Sequence, residues 1–556
     1  MGSLVFWILF WVLVIVAVII GFRNNKEKKN NRILKIRESF GTYTREKSHL
    51  SCDFSRIKGL LEYEKEYSST DFFTEDSNFC DLNLDSFFDL FNRCFSTPGE
   101  EYLYYKLKSL NQDPLQSSYE REVIDNLLND EDLRIKCAIC LDELGKLKNH
   151  DAFSLISSLR EAKSENNFKH ILFDILFLLS IGVIFISPGI GFIFLLVMLF
   201  INISTYFSGR RKMEEGIFGF GYSLRLIKTA VILSGYLEYY DFGELEKLRG
   251  IISNSFLIGR TEGTTSNPLT IILDYIKLIF HIDIICYNNR LRKLSESCDE
   301  ICSLFVRVGR IDCAITMASL IKSMDLRICT PKFVNISEGF NIEGMYHPLN
   351  RKPVSNDICC KKGIILTGSN ASGKSTFLKC CGMNTIFAQN FGFAFASSYT
   401  APVVRLYSSM ALSDNILGEE SYYVVEAKSL KKICDASEKF DNIFCLVDEV
   451  LRGTNTIERI SASSEILKVL GSRCICFAAT HDAELTLLVE DYFDKYYFTE
   501  DIEDDKLVFR YKIHKGVAGE GNAVKLLKML GYSSDITENA KRLAGTFKTT
   551  GKWEKI

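Results

Sequence analysis

The segment LTGSNASGKST at residues 366–376 constrains the fold more than any other stretch, because it fits the pattern G-x-x-x-x-G-K-[ST] directly after a strand-like run at 363–366. Gly368 and Gly373 allow the backbone to curl so that successive N–H groups face phosphate oxygens. The loop would lie at the N-terminus of the helix that follows it. The pattern therefore predicts a strand–loop–helix unit of an α/β domain that binds the phosphates of a nucleotide.

Two side chains at the end of this loop complete the predicted phosphate site. Lys374 is placed to reach the terminal phosphates, and the hydroxyl group of Ser375 is placed to bind Mg²⁺. The remaining positions would surround the phosphates with backbone N–H groups. The predicted nucleotide-binding residues of the loop are Gly368, Ser369, Asn370, Ala371, Ser372, Gly373, Lys374, Ser375 and Thr376.

Two carboxylates, Asp448 and Glu449, stand at the end of a second apolar run that is typical of a buried strand. In parallel sheets, ligands bind at the carboxyl ends of the strands, where these charged residues would lie. Asp448 is placed to bind Mg²⁺ directly or through water, and Glu449 is placed to polarise an attacking water. A further strand-like run ends at His481, which would contact a terminal phosphate or orient that water. We expect Glu449, His481 and Lys374 to act in catalysis. The alternative is that the carboxylates and the histidine are ordinary polar residues at strand ends.

These motifs resemble those of the MutS family of DNA mismatch repair proteins. The loop is similar to the family's TGPNMGGKST, and DEVLRGTNT is similar to its DELGRGTST, with Leu451 in place of a glycine and Asn455 in place of a serine. The run ATHDAEL around His481 is similar to the family's ATH-x-x-EL. Upstream, an HP pair at 347–348 and an ND pair at 356–357 stand where the family carries them. The resemblance covers about residues 333–543.

The resemblance implies an α/β P-loop ATPase domain of the ABC/MutS-like class, preceded by an all-α helical core, with ATP and Mg²⁺ as ligands. It also implies a homodimer formed through the ATPase domain. The segment GEESYYVVE at 418–426 resembles the family's signature segment, whose serine, here Ser421, approaches the nucleotide of the partner subunit. DNA is the partner that the family name implies. Residues 77–330 would form the helical core and 331–556 the ATPase domain.

The region before the core departs from the family. No stretch before residue 81 is long enough for a mismatch-reading domain, so we do not expect mismatch recognition by the usual aromatic wedge. Residues 4–22 instead form an uncharged run long enough to cross a bilayer. We assign 1–22 as a transmembrane anchor and 23–76 as a basic cytosolic linker. A cleaved signal peptide is the competing interpretation of the first run.

A second apolar block, 171–206, is interrupted by Ser187-Pro188-Gly189 and predicts a transmembrane hairpin at 170–207. A buried hairpin of a soluble core is the alternative. Basic residues follow both apolar blocks, so the positive-inside rule predicts a multi-pass membrane protein with its ATPase domain in the cytoplasm. Beyond the hairpin, apolar residues recur at spacings of three and four across 271–294, which predicts long packed helices.

Composition leaves three functions open. The net charge of −3 provides no overall attraction for nucleic acid, so any DNA contact would depend on local patches. A membrane-anchored MutS-like ATPase that binds DNA is the first function. The second is an ATP-gated scaffold or sensor that acts on protein or lipid without DNA, and the third is an ATP-driven transporter, for which three spans are few. The 18 cysteines are scattered through apolar runs, which favours buried thiols over zinc ligands.

Overall fold

The computed structural model describes residues 27, 30–42, 54–67, 72–252, 268–324, 327–369, 372–410, 422–452, 454–503, 506–517, 524, 527, 530–551, 553 and 555. The predicted anchor at 1–22 lies outside the described residues, as do Asn370, Ala371 and Ser421. The chain divides into two units. One comprises the described parts of 1–67, 89–105 and 123–323, and the other those of 68–88, 106–122 and 324–556.

The first unit is helical. Residues 30–39 are helical, and further α-helices are Gly59–Tyr67, Glu131–Leu144, Ala152–Ser157, Phe168–Ile186, Pro188–Ser234, Leu245–Ile252, Pro268–Ile279, Ile282–Glu296 and Cys298–Ser323. Three more helices have residues in both units, namely Leu84–Phe91, Thr97–Lys108 and Pro114–Asn129. Short 3₁₀ turns cover Phe54–Ile57 and Ser158–Arg160.

A buried carboxylate organises the centre of this unit. Asp312 lies on the helix Cys298–Ser323 and accepts hydrogen bonds from the backbone N–H groups of Phe95 (3.0 Å) and Ser96 (2.8 Å). It also accepts one from the Ser96 hydroxyl group at 2.6 Å. A Cβ atom at Gly99, in the first turn of Thr97–Lys108, would collide with this carboxylate, so position 99 favours glycine.

The predicted hairpin forms from two helices, Phe168–Ile186 and Pro188–Ser234, joined at Ser187. The second helix continues to Ser234, well beyond the end of the apolar block. Both helices are long and apolar enough to cross a membrane by length and composition, with mean hydropathies of 2.1 and 2.2 in their most apolar windows. A soluble core helix would be mostly buried, whereas only 17% and 22% of these windows are buried. Exposed apolar side chains include Phe168, Phe185, Ile186, Ile190, Ile193 and Phe200.

A polar cluster joins the base of the hairpin to the rest of the first unit. The fully buried His281 has its Nδ1 atom 2.7 Å from Asp174 Oδ1 and its Nε2 atom 3.0 Å from Thr205 Oγ1. His281 has a φ of +44°, and this turn separates Pro268–Ile279 from Ile282–Glu296. The helical run predicted across 271–294 is therefore interrupted at Phe280 and His281, where the chain turns and His281 contacts Asp174.

The second unit contains all twelve described strands, with helices between and after them. The strands are β1 Phe72–Phe73, β2 Ser109–Leu110, β3 Lys332–Val334, β4 Phe340–Met345, β5 Asn356–Cys360, β6 Gly363–Thr367, β7 Ser398–Pro402, β8 Arg405–Ser409, β9 Ile443–Asp448, β10 Ile475–Ala479, β11 Phe493–Glu503 and β12 Lys506–Lys515. The helices are Asp76–Asp81, Lys374–Phe391, Tyr422–Ser437, Thr456–Arg473, Ala483–Leu488 and Ser534–Thr550. A 3₁₀ turn covers Ile336–Glu338.

The main sheet has the order β12-β11-β6-β10-β9-β8, in which all neighbours are parallel except β11 and β12. A second sheet has the order β3-β7-β4-β5. Every residue of β6, β9 and β10 is buried, as expected for central parallel strands covered on both faces. Ala479 pairs with both Leu366 and Asp448, so the carboxyl ends of these three strands lie level. This register brings the phosphate loop, the two carboxylates and His481 to one edge.

Candidate nucleotide-binding site

The phosphate loop connects β6 to the helix Lys374–Phe391, as the sequence predicted. Gly368 has a φ of +145° and Gly373 a φ of +107°, conformations that residues with a Cβ atom rarely adopt. A Cβ atom at Gly368 would also lie 2.8 Å from Ser372 Oγ. The buried Ser372 hydroxyl group donates to the Ser369 carbonyl oxygen at 2.8 Å and closes the loop. Thr376 is exposed at the first turn of the helix.

Lys374 places its ammonium group inside the curled loop. Its Nζ atom donates to the carbonyl oxygens of Gly368 (2.7 Å) and Ser369 (2.9 Å), and the side chain is buried. Burial lowers the pKa of Lys374, and the nearby carboxylates of Glu449 and Asp448 act in the opposite direction. Its hydrogen-bond partners are these carbonyl oxygens and His481 Nδ1, at 3.4 Å, and neutral groups compensate the charge of an ammonium group only in part, so Lys374 is prepared to pair with an anion.

Asp448 is the last residue of β9, and its Oδ1 atom is buried without a hydrogen-bond partner among the described residues. A buried, unpaired carboxylate oxygen is costly unless a ligand binds it. Ser375 is half-buried in the first helical turn after the loop. No group of three or more His, Cys, Asp and Glu side chains in the described part of the chain is arranged for a metal. The residues present fit Mg²⁺, which is commonly held by one or two carboxylates together with substrate phosphates.

Glu449 and His481 meet beside the loop. Glu449 has a φ of +60°, and its N–H group donates to the Ala479 carbonyl oxygen at 2.9 Å, which ties it to β10. Its carboxylate contacts His481 Nε2 and Arg452 Nε. His481 Nδ1 lies 3.4 Å from Lys374 Nζ. The three residues expected to act in catalysis therefore lie together, and Arg452 joins them without having been singled out in the sequence.

Tyr511 on β12 is a second residue that the sequence did not single out. A Cβ atom at Gly373 would lie 3.1 Å from Tyr511 Cδ1, so the ring lies against the loop, and it is 45% exposed. Asn356 holds this residue in place, because its amide donates to the Tyr511 carbonyl oxygen (3.0 Å) and accepts from the Ile513 N–H group (2.8 Å). An exposed ring beside a phosphate loop can stack on a nucleotide base. Local sequence contains no signal for it, since 135 or more residues separate the ring from the loop.

Comparison with known proteins identifies relatives of this site. Residues 364–548, which include the phosphate loop, both carboxylates and His481, match the family model of MutS domain V. The chain is 29% identical over 304 residues to the DNA mismatch repair protein MutS of Pseudothermotoga lettingae, covering 50% of this chain and 37% of that protein. It is 28% identical over 269 residues to that of Petrotoga mobilis, covering 46% and 32%. The chain thus spans about a third of the length of these curated relatives.

Proposed function

We propose that this chain, a member of the MutS family over about half of its length, binds ATP with Mg²⁺ and hydrolyses it as a switch between two states of a dimer. The observation that carries the proposal is the convergence of Lys374, Glu449 and His481 on one glycine-rich loop. Phosphoryl transfer needs positioning and charge compensation more than covalent chemistry, and these groups provide both.

Each residue has a distinct role in the proposed reaction. Backbone N–H groups of the loop and the Lys374 ammonium group bind and neutralise the phosphates. Asp448 and Ser375 would hold Mg²⁺, which supplies further charge compensation when bound. Glu449 polarises the attacking water and accepts its proton, and His481 orients Glu449 through their direct contact.

Dimerisation through the ATPase domain is supported by apolar side chains on the second unit. Ile457, Leu487 and Leu488 are 76%, 66% and 59% exposed and lie on helices that follow the two carboxylates and His481. Exposed apolar groups close to an active site are typical of surfaces that a partner covers. A second copy of the chain, bringing its Ser421 to the nucleotide, is the partner we propose.

We further propose that the hairpin inserts into a membrane and that the ATPase domain lies in the cytoplasm. The exposed apolar side chains run along the whole first helix, Phe168–Ile186, which is about 28 Å long at 1.5 Å per residue. That length is close to the hydrocarbon thickness of a bilayer, about 30 Å. Arg210, Arg211 and Lys212 follow the apolar part of the second helix, where anionic headgroups would meet them.

DNA is the proposed ligand, in a role related to mismatch repair or recombination, because the similar proteins are DNA mismatch repair proteins. Steady-state ATPase measurements on the detergent-solubilised chain, with duplex, mismatched and branched DNA over a salt series, test this. We expect one DNA form to stimulate hydrolysis and the stimulation to fade with salt, because phosphate contacts release counterions. Hydrolysis that no DNA alters would reject DNA and favour an ATP-gated scaffold or sensor for protein or lipid.

The role of Glu449 is tested in the same assay. Glu449→Gln keeps the shape of the side chain but removes the base, so we expect kcat to fall about 10²–10⁴-fold with little change in nucleotide affinity. Glu465→Gln changes an exposed carboxylate on the helix Thr456–Arg473 and is the matched control. Hydrolysis that survives Glu449→Gln would contradict the assignment of the base.

The membrane proposal is tested with Phe200→Lys, which changes a 71% exposed ring near the middle of the second arm. In a bilayer, a lysine at a central position costs about 2.5–3.5 kcal/mol, so the yield of folded chain in the membrane fraction should fall. Leu115→Lys changes an equally exposed apolar residue outside the hairpin and should have no effect. Equal yields for both variants would indicate that the hairpin is in water.

A further inference from the structure

The turn that follows β9 is held in an unfavourable backbone conformation. Glu449 has a φ of +60° and Leu451 a φ of +58°, and neither is a glycine. The left-handed region is costly for residues with a Cβ atom, and such conformations persist only when the surroundings over-determine them. Leu451 also stands where the resemblance described above has a glycine. Something in this chain must therefore stabilise the turn.

Two sets of contacts hold Leu451 in this conformation. Its side chain is buried in the apolar core, together with Val450, Leu430 and Ile433. Its N–H group donates to Glu426 Oε1 at 2.5 Å. The neighbouring N–H group of Arg452 donates to the other carboxylate oxygen, Oε2, at 3.0 Å. Each oxygen of one carboxylate thus holds one N–H group of the turn, and hydrogen bonds to ionised groups are about twice as strong as neutral ones.

The same turn positions the reactive carboxylate. Arg452, whose backbone binds Glu426, extends its side chain back to Glu449. Glu449 is also held on its other oxygen by His481. A shift of the turn would therefore move Glu449 and Arg452 together. Among the hydrogen bonds of the described residues, Glu426 contacts neither the phosphate loop nor Lys374. It therefore acts on the site through the turn and through the nearby charges of Arg452 and Glu449.

We propose that Glu426 is a positioning residue for ATP hydrolysis, which holds residues 449–452 in their left-handed turn and thereby sets the position of Glu449. Glu426 lies on the helix Tyr422–Ser437, so a movement of this helix would change the position of Glu449 through the turn. The inference rests on the proposed function, because a positioned base matters only if the site hydrolyses nucleotide. It adds a residue that acts on the rate of hydrolysis and not on nucleotide binding.

A graded pair of substitutions tests the proposal. Glu426→Gln retains one acceptor oxygen and one of the two hydrogen bonds, whereas Glu426→Met retains the length of the side chain and no acceptor. We expect kcat to decrease in the order wild type, Glu426→Gln, Glu426→Met, with a loss of about tenfold or more for each hydrogen bond removed. The affinity for a fluorescent ATP analogue should stay within about twofold of the wild type, since no contact to the loop changes.

Tryptic cleavage after Arg452, followed by mass spectrometry, provides a readout that needs no hydrolysis. Loss of the Glu426 contacts should speed this cleavage about tenfold or more, because the turn opens more often. Glu438→Gln, which changes an exposed carboxylate paired with Arg473 just beyond the same helix, is the matched control and should leave both readouts unchanged.

The outcomes separate this inference from the proposed function. If Glu426→Met keeps the wild-type kcat, the positioning role is overturned, whatever the cleavage rate. If kcat and nucleotide affinity fall in parallel, the role is also overturned, because such a loss would indicate a general structural role. A wild-type chain without Glu449-dependent hydrolysis would instead reject the proposed function, while the cleavage comparison would still report whether Glu426 holds the turn.

Discussion

Gly373→Ala provides the sharpest test of the phosphate loop. Gly373 has a φ of +107°, which lies outside the left-handed well that other residues occasionally occupy. An alanine at this position must therefore either strain the backbone or change the loop. The new Cβ atom would also lie 3.1 Å from Tyr511 Cδ1, closer than an ordinary contact. Together, a strained φ and this contact are expected to cost about 1–3 kcal/mol.

The cost should appear in nucleotide binding, because the loop must keep its N–H groups in position to bind phosphate. A cost of about 1–3 kcal/mol corresponds to a loss of about 5- to 150-fold in affinity. Titration with a fluorescent ATP analogue measures this directly, and thermal unfolding of the same samples reports whether the fold is retained.

Gly545→Ala is the matched control for this experiment. Gly545 lies on the helix Ser534–Thr550 in the same unit, with nothing within 4 Å of an added Cβ atom and an ordinary φ. Alanine should be neutral or slightly favourable there, because it is the better helix former. If Gly373→Ala bound the ATP analogue with wild-type affinity, or if Gly545→Ala lost as much affinity, the claim that phosphate binding requires this loop conformation would be refuted.

Three further predictions follow from the contacts described above. Because burial lowers the pKa of Lys374, the lysine should lose its proton at a lower pH than usual. ATP affinity should be highest below that pKa, where the ammonium group is charged, and should fall as the pH rises through it. An affinity that stays constant up to about pH 10.5 would contradict this. Asp174→Asn removes the charged partner of His281 and should cost about 1.5–3 kcal/mol in thermal or denaturant unfolding, whereas the exposed Asp274→Asn should be close to neutral. Gly99→Ala should lower the free energy of unfolding by about 1–3 kcal/mol, because the new Cβ atom displaces the Asp312 carboxylate from its hydrogen bonds with Phe95 and Ser96. An unchanged unfolding midpoint would refute that contact.

Local sequence was sufficient for the core of the candidate site. The phosphate loop, the two carboxylates after β9 and His481 after β10 each follow a short apolar run, and these runs are the buried strands β6, β9 and β10. Parallel strands covered on both faces are apolar throughout, so both the strand and the place where it ends are visible in the sequence. The resemblance to the MutS family was confirmed over about half of the chain.

The remaining residues of the site depend on partners that are distant in sequence. Tyr511 lies against Gly373 only because β12 pairs with β11 beside β6, and Glu426 reaches Leu451 only because its helix packs on the same core. The break at His281 likewise follows from its contact with Asp174, which is 107 residues away. Helical periodicity alone gave no reason to expect a break at that residue.

Sequence by itself determined which strands are buried and which residues follow them, because hydrophobic periodicity and glycine spacing act over a few residues. Tertiary structure alone decided which side chain meets which. The register of β6, β9 and β10 brings three separate strand ends level, and Glu426 then stabilises a turn that Leu451 would otherwise disfavour. Such contacts form only after the chain has been brought together by packing, so their energy appears in no local segment.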